Sequence, residues 1–380
     1  MAADRGRHVG ARLVVSKGAA TAGAPPGLTV DESGALPLPW LESTLRETLA
    51  RQQGHALLLH AAPGIGAPAF SACLAQSWLC EAPGTGGLAC GRCASCRAVQ
   101  GHVHPDLHVL LPEALRRETG WLLADDKPEG EEGKRKPSRQ IRIDEVRAAI
   151  DWVGRTSARG RGKAWVLHPV EALNEHSASA LLKTAEEPPA GTRLVLTCSD
   201  PLAILPTVRS RCHRVALAPP AAEVAAPWLA ALGVARADVL LAGCGGRPLD
   251  ALALARDGID AAAWEALPTA IAQGRAQALA GWPVPRALDA LFKLCGDALA
   301  RAAGAPTRYF DARRLPADAD VARLADWSRE LQRIARHADH PWHEALMIDA
   351  LVARAHWALM PTASRSPLPP AGRRLDTLNG

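Results

Sequence analysis

Four short apolar runs recur along the first part of the chain, each of the length of a buried strand. They cover residues 56–60, 104–110, 163–168 and 193–198. Apolar positions at helical spacing separate them, over residues 40–49, 67–79 and 174–187. A further helix begins near Asp144, which we take as its N-cap. Strands that alternate with helices in this way predict a parallel α/β sheet.

The pattern changes after Pro219-Pro220, where helical spacing continues without further strands. This change predicts an α/β fold followed by all-α domains. The predicted parts are a flexible tail (1–35), an α/β domain (36–217), a small helical domain (218–258), a larger helical domain (259–360) and a second tail (361–380). Inside the first domain lie a cysteine module at 80–96 and a charged insertion at 113–140, which we expect to be mobile.

Composition narrows the class of protein. The 380 residues are 48% hydrophobic and 22% charged, which is typical of globular domains. The formal net charge of +5 permits a nucleic-acid partner without requiring one. Nine cysteines are an odd number, and five are scattered through apolar surroundings, so we expect a reducing cytoplasm. No apolar run has the length of a membrane span, so no membrane partner is expected.

A glycine turn after the first strand resembles a phosphate-binding loop without its working residues. Gly64 and Gly66 keep the turn, but Ala67 stands where the loop needs lysine and Pro68 where it needs serine or threonine. The cation that reaches the phosphates and the hydroxyl that holds Mg²⁺ are therefore both missing. An ordinary turn is the alternative interpretation. A second loss of ATPase residues, at the end of the third strand, favours a degenerate ATPase over an ordinary turn.

That matching loss lies at the end of the third strand. An active ATPase carries an acidic pair at this point, which organises Mg²⁺ and the attacking water. Here the strand ends in His168-Pro169, and neither residue can do this work. The sequence therefore predicts that this chain binds no ATP and has no ATPase activity of its own.

The most specific chemical motif is a set of four cysteines. Cys80, Cys90, Cys93 and Cys96 contain two overlapping C-x2-C units, a spacing typical of tetrahedral Zn²⁺ sites. Four thiolates leave no open position for water, so the predicted zinc is structural. Unligated thiols, a redox role and an iron–sulfur cluster are the alternatives left open by the spacing.

An arginine follows the fourth strand in the sequence Ser210-Arg211-Cys212. An arginine on a rigid turn at a sheet edge can reach a nucleotide site on a neighbouring protein and stabilise phosphate charge there. A surface arginine in a salt bridge is the simpler alternative.

Together these residues carry a resemblance. Residues 180–189 (ALLKTAEEPP), Ser210-Arg211-Cys212 and the cysteine insert after the loop resemble bacterial clamp-loader AAA+ subunits of DNA polymerase III. The resemblance covers about residues 36–360. It implies a RecA-like AAA+ domain with a zinc module, a small helical lid and a C-terminal helical collar. It also implies that the protein belongs to a cytoplasmic replisome. Its partners there would be the γ/τ and δ subunits, and through them it would act indirectly on the sliding clamp and primer-template DNA.

Within that family, Arg211 matches the arginine finger that acts on a neighbour's ATP, with Ser210 and Cys212 completing the motif. In the lid, Arg247 lies one residue before the expected sensor arginine and Pro248 occupies its place, so sensing within this subunit is not expected. The implied function is a non-catalytic subunit that helps load the clamp. The alternatives are an active γ/τ-type ATPase and a zinc-containing nucleic-acid-binding protein.

Overall fold

The computed structural model of the chain describes residues 27–51, 54–121, 137–202, 204–337 and 343–361. In these ranges, five parallel strands form one sheet in the order β2-β3-β4-β1-β5. The strands are β1 (Ala56–Ala61), β2 (Leu107–Leu110), β3 (Lys163–Leu167), β4 (Thr192–Cys198) and β5 (His213–Leu217).

Helices surround the sheet and continue along the chain after it. The helices around the sheet are α1 (Glu42–Arg51), α2 (Ala67–Leu79), α3 (Ala94–Gln100), α4 (Glu113–Thr119), α5 (Ile143–Val153), α6 (Glu175–Glu186) and α7 (Pro206–Arg209). The helices after the sheet are α8 (Ala222–Ala231), α9 (Ala237–Gly243), α10 (Pro248–Arg256), α11 (Ala261–Ala272), α12 (Val284–Ala302), α13 (Val321–Ala335) and α14 (Glu344–Leu359).

The sheet is covered on both faces, which explains its nearly continuous apolar strands. One apolar cluster joins α2 to the face of the sheet that includes Val166 and Val195. The other joins α5 and α6 to the opposite face, through Trp165 and Leu194. The strand order and the two covered faces confirm the predicted RecA-like α/β fold, and the helices that follow confirm its all-α continuation.

The helices after the sheet share one apolar cluster, from Ala225 in α8 to Leu359 in α14. It crosses the predicted boundary between residues 258 and 259, so that boundary stays a prediction. No helix of the described ranges combines the length and apolar character that crossing a membrane requires.

Three details differ from the sequence prediction. The fifth strand, β5, was missed because most of its residues are exposed and it lacks an apolar run. The second strand begins at Leu107 rather than at residue 104. Asp144 is not the N-cap of α5: the cap is Arg142, whose N–H donates to Glu145 Oε2 at 2.8 Å.

The predicted tail and insertion also differ where the structure describes them. Val30, within the predicted flexible tail 1–35, is fully buried, and its N–H donates to Gln76 Oε1 at 2.7 Å. The predicted mobile insertion 113–140 begins with the helix α4, whose Arg116 is fully buried and pairs with Glu145 at 3.1 Å. Residues 1–26, 122–136 and 362–380 lie outside the described residues.

Candidate functional site

The glycine turn after β1 keeps the shape of a phosphate-binding loop. Gly64 (φ 79°) and Gly66 (φ 111°) both have the left-handed backbone that favours glycine, and Gly66 caps the N-terminus of α2. Ala67 and Pro68 lie in the first turn of that helix, at the two positions where a phosphate-binding loop has its lysine and its hydroxyl residue. Strand, turn and helix therefore follow one another as the sequence predicted, and the chemical groups that would hold a nucleotide are absent from them.

Side chains from distant parts of the sequence fill the space around this turn. A Cβ at Gly66 would collide with Leu38, and a Cβ at Gly64 would collide with the carboxylate of Asp250. Trp40 Nε1 donates to Ile65 O at 2.9 Å, and Leu249 N donates to Gly64 O at 3.1 Å. Contacts within the protein thus line both glycines of the turn.

Asp250 adds an electrostatic obstacle to this steric one. Burial raises the pKa of its carboxyl group, and the positive charge of Arg247 opposes that rise. Arg247 Nε lies 2.9 Å from Asp250 Oδ2 and also donates to Cys244 O. The arginine near the sensor position is therefore engaged by a carboxylate of its own helix. A phosphate entering the loop would meet this carboxylate as a like charge.

His168 stands at the end of β3, in the place of the acidic pair. Its Nδ1 lies 2.5 Å from Thr197 Oγ1 of the neighbouring strand β4. Burial lowers the pKa of His168 from 6.5 to about 4, and the charge of Glu171 only partly opposes this. The imidazole is therefore neutral at pH 7. It serves as a hydrogen-bonded structural group where β3 ends.

The lowered pKa of His168 predicts a pH-dependent stability. The unfolded chain takes up a proton below pH 6.5, whereas the folded chain does so only near pH 4. The contribution is therefore full above pH 6.5 and is lost as the pH falls from 6.5 towards 4. Denaturant titrations at pH 7 and pH 5 measure this loss of unfolding free energy. We expect the loss to be smaller in His168→Gln than in the parent, by on the order of 1–2 kcal/mol.

His176→Gln is the control, because His176 is exposed and its replacement should leave the loss as in the parent. A loss in His168→Gln equal to that of the parent would contradict the expectation.

The four predicted cysteines converge at one point. The Sγ atoms of Cys80, Cys90, Cys93 and Cys96 all lie within 4.8 Å of one another, with 3.9 Å between Cys80 and Cys93 and 4.0 Å between Cys90 and Cys96. Zn–S bonds of about 2.3 Å in a tetrahedron place sulfurs about 3.8 Å apart. The residues present therefore fit a tetrahedral metal ion. These four cysteines are the ones that the spacing grouped together.

Backbone N–H groups shape the cluster further. The N–H groups of Cys90, Cys93 and Cys96 donate to the sulfurs of Cys80, Cys90 and Cys93 at 3.3–3.4 Å. Burial acts to raise the pKa of Cys90, but backbone donors including Arg92 N–H lower it overall, to about 6. Burial and the neighbouring sulfurs raise the pKa of Cys96. Four thiolates at this distance repel one another. A bound cation would offset that repulsion by stabilising all four.

Glycine allows the cysteine loop to lie against the N-terminal segment. Gly91 has φ 74°, and a Cβ there would collide with Asp31 O. Gln100 Nε2, at the end of α3, donates to Gly91 O and to Val30 O, both at 2.8 Å. The cysteine module is thus held to the body of the protein by contacts that do not involve the sulfurs.

Arg211 lies at the surface between α7 and β5, where it is accessible to a neighbour. Its side chain is 39% exposed, its Nε lies 2.5 Å from Glu186 Oε1, and its Nη1 donates to Thr207 O at 2.8 Å. Ser210 donates to the same carbonyl, whereas Cys212 is buried, and that burial raises its thiol pKa to about 11. The three residues of the motif thus present one charged group outward and one thiol inward.

The comparisons with known proteins agree with these features. The family described as "DNA polymerase III, delta subunit" matches residues 40–221. The chain is 36% identical to DNA polymerase III subunit delta' of Pseudomonas aeruginosa over 226 residues, covering 58% of this chain and 62% of that protein. The delta' subunit of Escherichia coli is 33% identical over 57% of this chain and 60% of its own length.

Over residues 40–221, the chain is therefore similar to DNA polymerase III subunits of the delta type. The chain is also similar to DNA polymerase III subunit tau of Salmonella typhimurium, at 30% identity over 42% of this chain and 21% of that protein. These two delta' subunits are thus matched over a longer part of the chain than this tau subunit is. The chain spans about three fifths of the length of the delta' relatives that it matches.

Sequence reasoning missed the residues that close the glycine turn. Leu38 and Asp250 lie far from Gly64 in the sequence, and neither belongs to a phosphate-binding motif. Trp40 was assigned only to a helix, although its indole N–H contacts the turn. The only local signal was the loss of lysine and hydroxyl, which removes the reason to keep the space open.

Proposed function

We propose that the chain is a non-hydrolysing, delta'-like subunit of a DNA polymerase III clamp loader that helps to load the sliding clamp on primed DNA. The observation that carries the proposal is the glycine turn without lysine or hydroxyl, lined by Leu38 and Asp250, in a chain similar to delta' subunits. A subunit without a nucleotide site contributes by contact. Its partners would be γ/τ and δ subunits, and through them the clamp and the primer-template DNA.

Arg211 is the group through which we propose that the chain acts on a neighbouring ATP site. Its ion pair with Glu186 is about two fifths exposed on both sides. Such pairs contribute about 1 kcal/mol or less, so a triphosphate of greater charge can compete for the guanidinium. Leu202 and Leu205, on the loop before α7, are 82% and 37% exposed, and they give the same surface an apolar part for a protein contact.

Zn²⁺ is the metal that we propose for the four cysteines, in a structural role. Four sulfur ligands complete a tetrahedron and leave no position for a substrate or water. Domain boundaries at 36–217, 218–258 and 259–360 are part of the same proposal, with the last two as lid and collar. We infer no role for residues 1–35 or 113–140 in this function.

Reconstitution tests the proposed function directly. The chain is mixed with γ/τ and δ subunits, the complex is isolated, and clamp-stimulated ATP hydrolysis and clamp loading on primed DNA are measured with and without it. We expect the chain to enter the complex and to be needed for loading. A complex that excludes the chain, or that loads the clamp equally well without it, would contradict the proposal.

Restoring the lost residues of the loop should not restore nucleotide binding. In Ala67→Lys/Pro68→Ser the lysine and hydroxyl return, but Leu38 and Asp250 still fill the approach to Gly64 and Gly66. Equilibrium binding of labelled ATP should remain weaker than about 1 mM, which corresponds to about 4 kcal/mol of binding free energy. Micromolar binding by the parent chain would instead support an active γ/τ-type ATPase. Micromolar binding by the variant alone would show that the filled space is no barrier.

A further inference from the structure

An open concavity lies at the edge of the sheet where the strands begin, at the opposite end from the glycine turn. It has a volume of about 620 Å³. Its lining includes His55, Trp78, Arg161 and Arg193, together with the glycine-containing turns that precede β3 and β4. It contains no acidic residue among its lining residues and only one large apolar side chain. The site is therefore cationic, and it is distinct from the features that carry the proposed function.

The two arginines of the concavity have no counter-ion in the described part of the chain. Arg193 lies over the ring of Trp78, with 5.3 Å from its Cζ to the ring centroid, and neither Arg161 nor Arg193 forms an ion pair there. Burial and then the charge of Arg161 lower the pKa of Arg193, as expected of two neighbouring cations. Two guanidinium groups without a carboxylate between them are repulsive unless an anion joins them.

The loop that carries Arg161 is fixed by a buried carboxylate. Asp106 is 1% exposed and accepts hydrogen bonds from Ala158 N at 2.7 Å, Arg159 N at 2.8 Å and Ser157 Oγ at 3.0 Å. Arg159 itself pairs with Glu81, next to the first cysteine ligand, at 3.0 Å. The loop is therefore held by Asp106 and, through Arg159, by Glu81. A loop that is already fixed loses less conformational entropy when it binds a ligand.

Two glycines bring the two arginine-bearing segments together. Gly162 has φ 83°, a Cβ there would collide with Gly191 O, and Lys163 N donates to that same carbonyl at 2.9 Å. The turn before β3 and the turn before β4 therefore lie in direct backbone contact. This contact keeps Arg161 and Arg193 on one wall of the concavity and leaves the space between the turns free of side chains.

We propose that this concavity is a phosphate-binding site, in which Arg161 and Arg193 hold a phosphate group of a nucleic-acid strand. The planar fork of arginine matches the oxygens of phosphate, and an uncharged or apolar ligand would leave both cations unpaired. The open shape and the glycine walls admit a strand that continues beyond the site. Arg155 lies six residues before Arg161, after the end of α5, and adds a further positive charge to this segment.

The choice of a nucleic acid as the source of the phosphate rests on the proposed function at primed DNA. An acidic peptide offers carboxylates of similar geometry and is an outcome of the test. The experiment uses the isolated full chain, so its failure would leave the ring assembly and the role of Arg211 untouched. In this way the two proposals fail separately.

The test is anisotropy of a fluorescent single-stranded oligonucleotide titrated with the full chain at several salt concentrations. We expect Arg161→Gln/Arg193→Gln to bind at least about 10-fold more weakly, with the salt slope reduced by about 1–2. Arg275→Gln is the matched control, because Arg275 is exposed and its side chain has no ion pair among the described residues. Arg161→Lys/Arg193→Lys keeps the charge but loses the fork, so its affinity should be intermediate. Thermal melting verifies that each variant is folded.

Competitors identify the source of the anion. Inorganic phosphate that protects the parent chain against thermal unfolding, but not the double glutamine variant, supports the site even if the oligonucleotide does not bind, and then assigns it to the free ion. Oligonucleotide binding that is equal in the parent and the double glutamine variant would overturn the proposal. The proposal would also be overturned if the chain bound poly-glutamate but neither the oligonucleotide nor inorganic phosphate, because the site would then select carboxylates.

Discussion

Arg211→Ala should assemble into the complex with γ/τ and δ but slow ATP hydrolysis at the neighbouring site by about 10³-fold, the effect of losing an arginine finger. The side chain is at the surface, and its ion pair with Glu186 is partly exposed. Its removal should therefore leave the fold and the assembly intact. Single-turnover hydrolysis and the rate of clamp loading measure the effect.

Arg214→Ala is the matched control for this experiment. Arg214 is an exposed residue of β5, three positions after Arg211, and should leave both rates unchanged. Glu186→Gln is a second comparison, because it releases Arg211 from its ion pair without removing the guanidinium. Full clamp loading by Arg211→Ala in an assembled complex would refute the proposed role, and loss of assembly would show that the residue is an interface contact instead.

Removal of the metal should have the largest effect on stability. The purified chain should contain one equivalent of zinc, and Cys96→Ser should lose it, since the tetrahedron then lacks one of four sulfur ligands. Loss of a structural metal is among the strongest destabilising changes, on the order of 4 kcal/mol or more. For a chain of this size, about 4 kcal/mol corresponds to a fall in the melting temperature of about 5 °C.

Metal content and thermal melting, measured together, distinguish ligation from simple packing. Cys73→Ser is the control, because Cys73 is a fully buried cysteine of α2 outside the cluster and should keep the full metal content. A chelator should lower the melting temperature of the parent and leave that of Cys96→Ser unchanged. A parent chain that is purified free of metal and melts identically with and without added zinc would contradict the structural role.

The sheet was predictable from sequence as far as its strands are buried on both faces. β1, β3 and β4 each have an apolar, buried centre, and their positions agree with the prediction to within a residue or two. β5 was missed because it lies at the edge of the sheet and three of its five residues are exposed. Its backbone pairs with β1 without the apolar pattern by which a buried strand is found.

Local spacing alone predicted which groups this chain has lost and which four cysteines could hold a metal ion. The absent lysine at Ala67 and the cysteine spacing are facts about neighbouring positions, and a short segment constrains its own geometry. The tertiary structure alone decided which side chains lie against the glycine turn and where unpaired charge accumulates. Leu38 and Asp250 meet at one glycine turn, and Arg161 meets Arg193, only because the sheet brings distant segments together. Contacts of this kind depend on packing across the whole fold, and no local pattern encodes them.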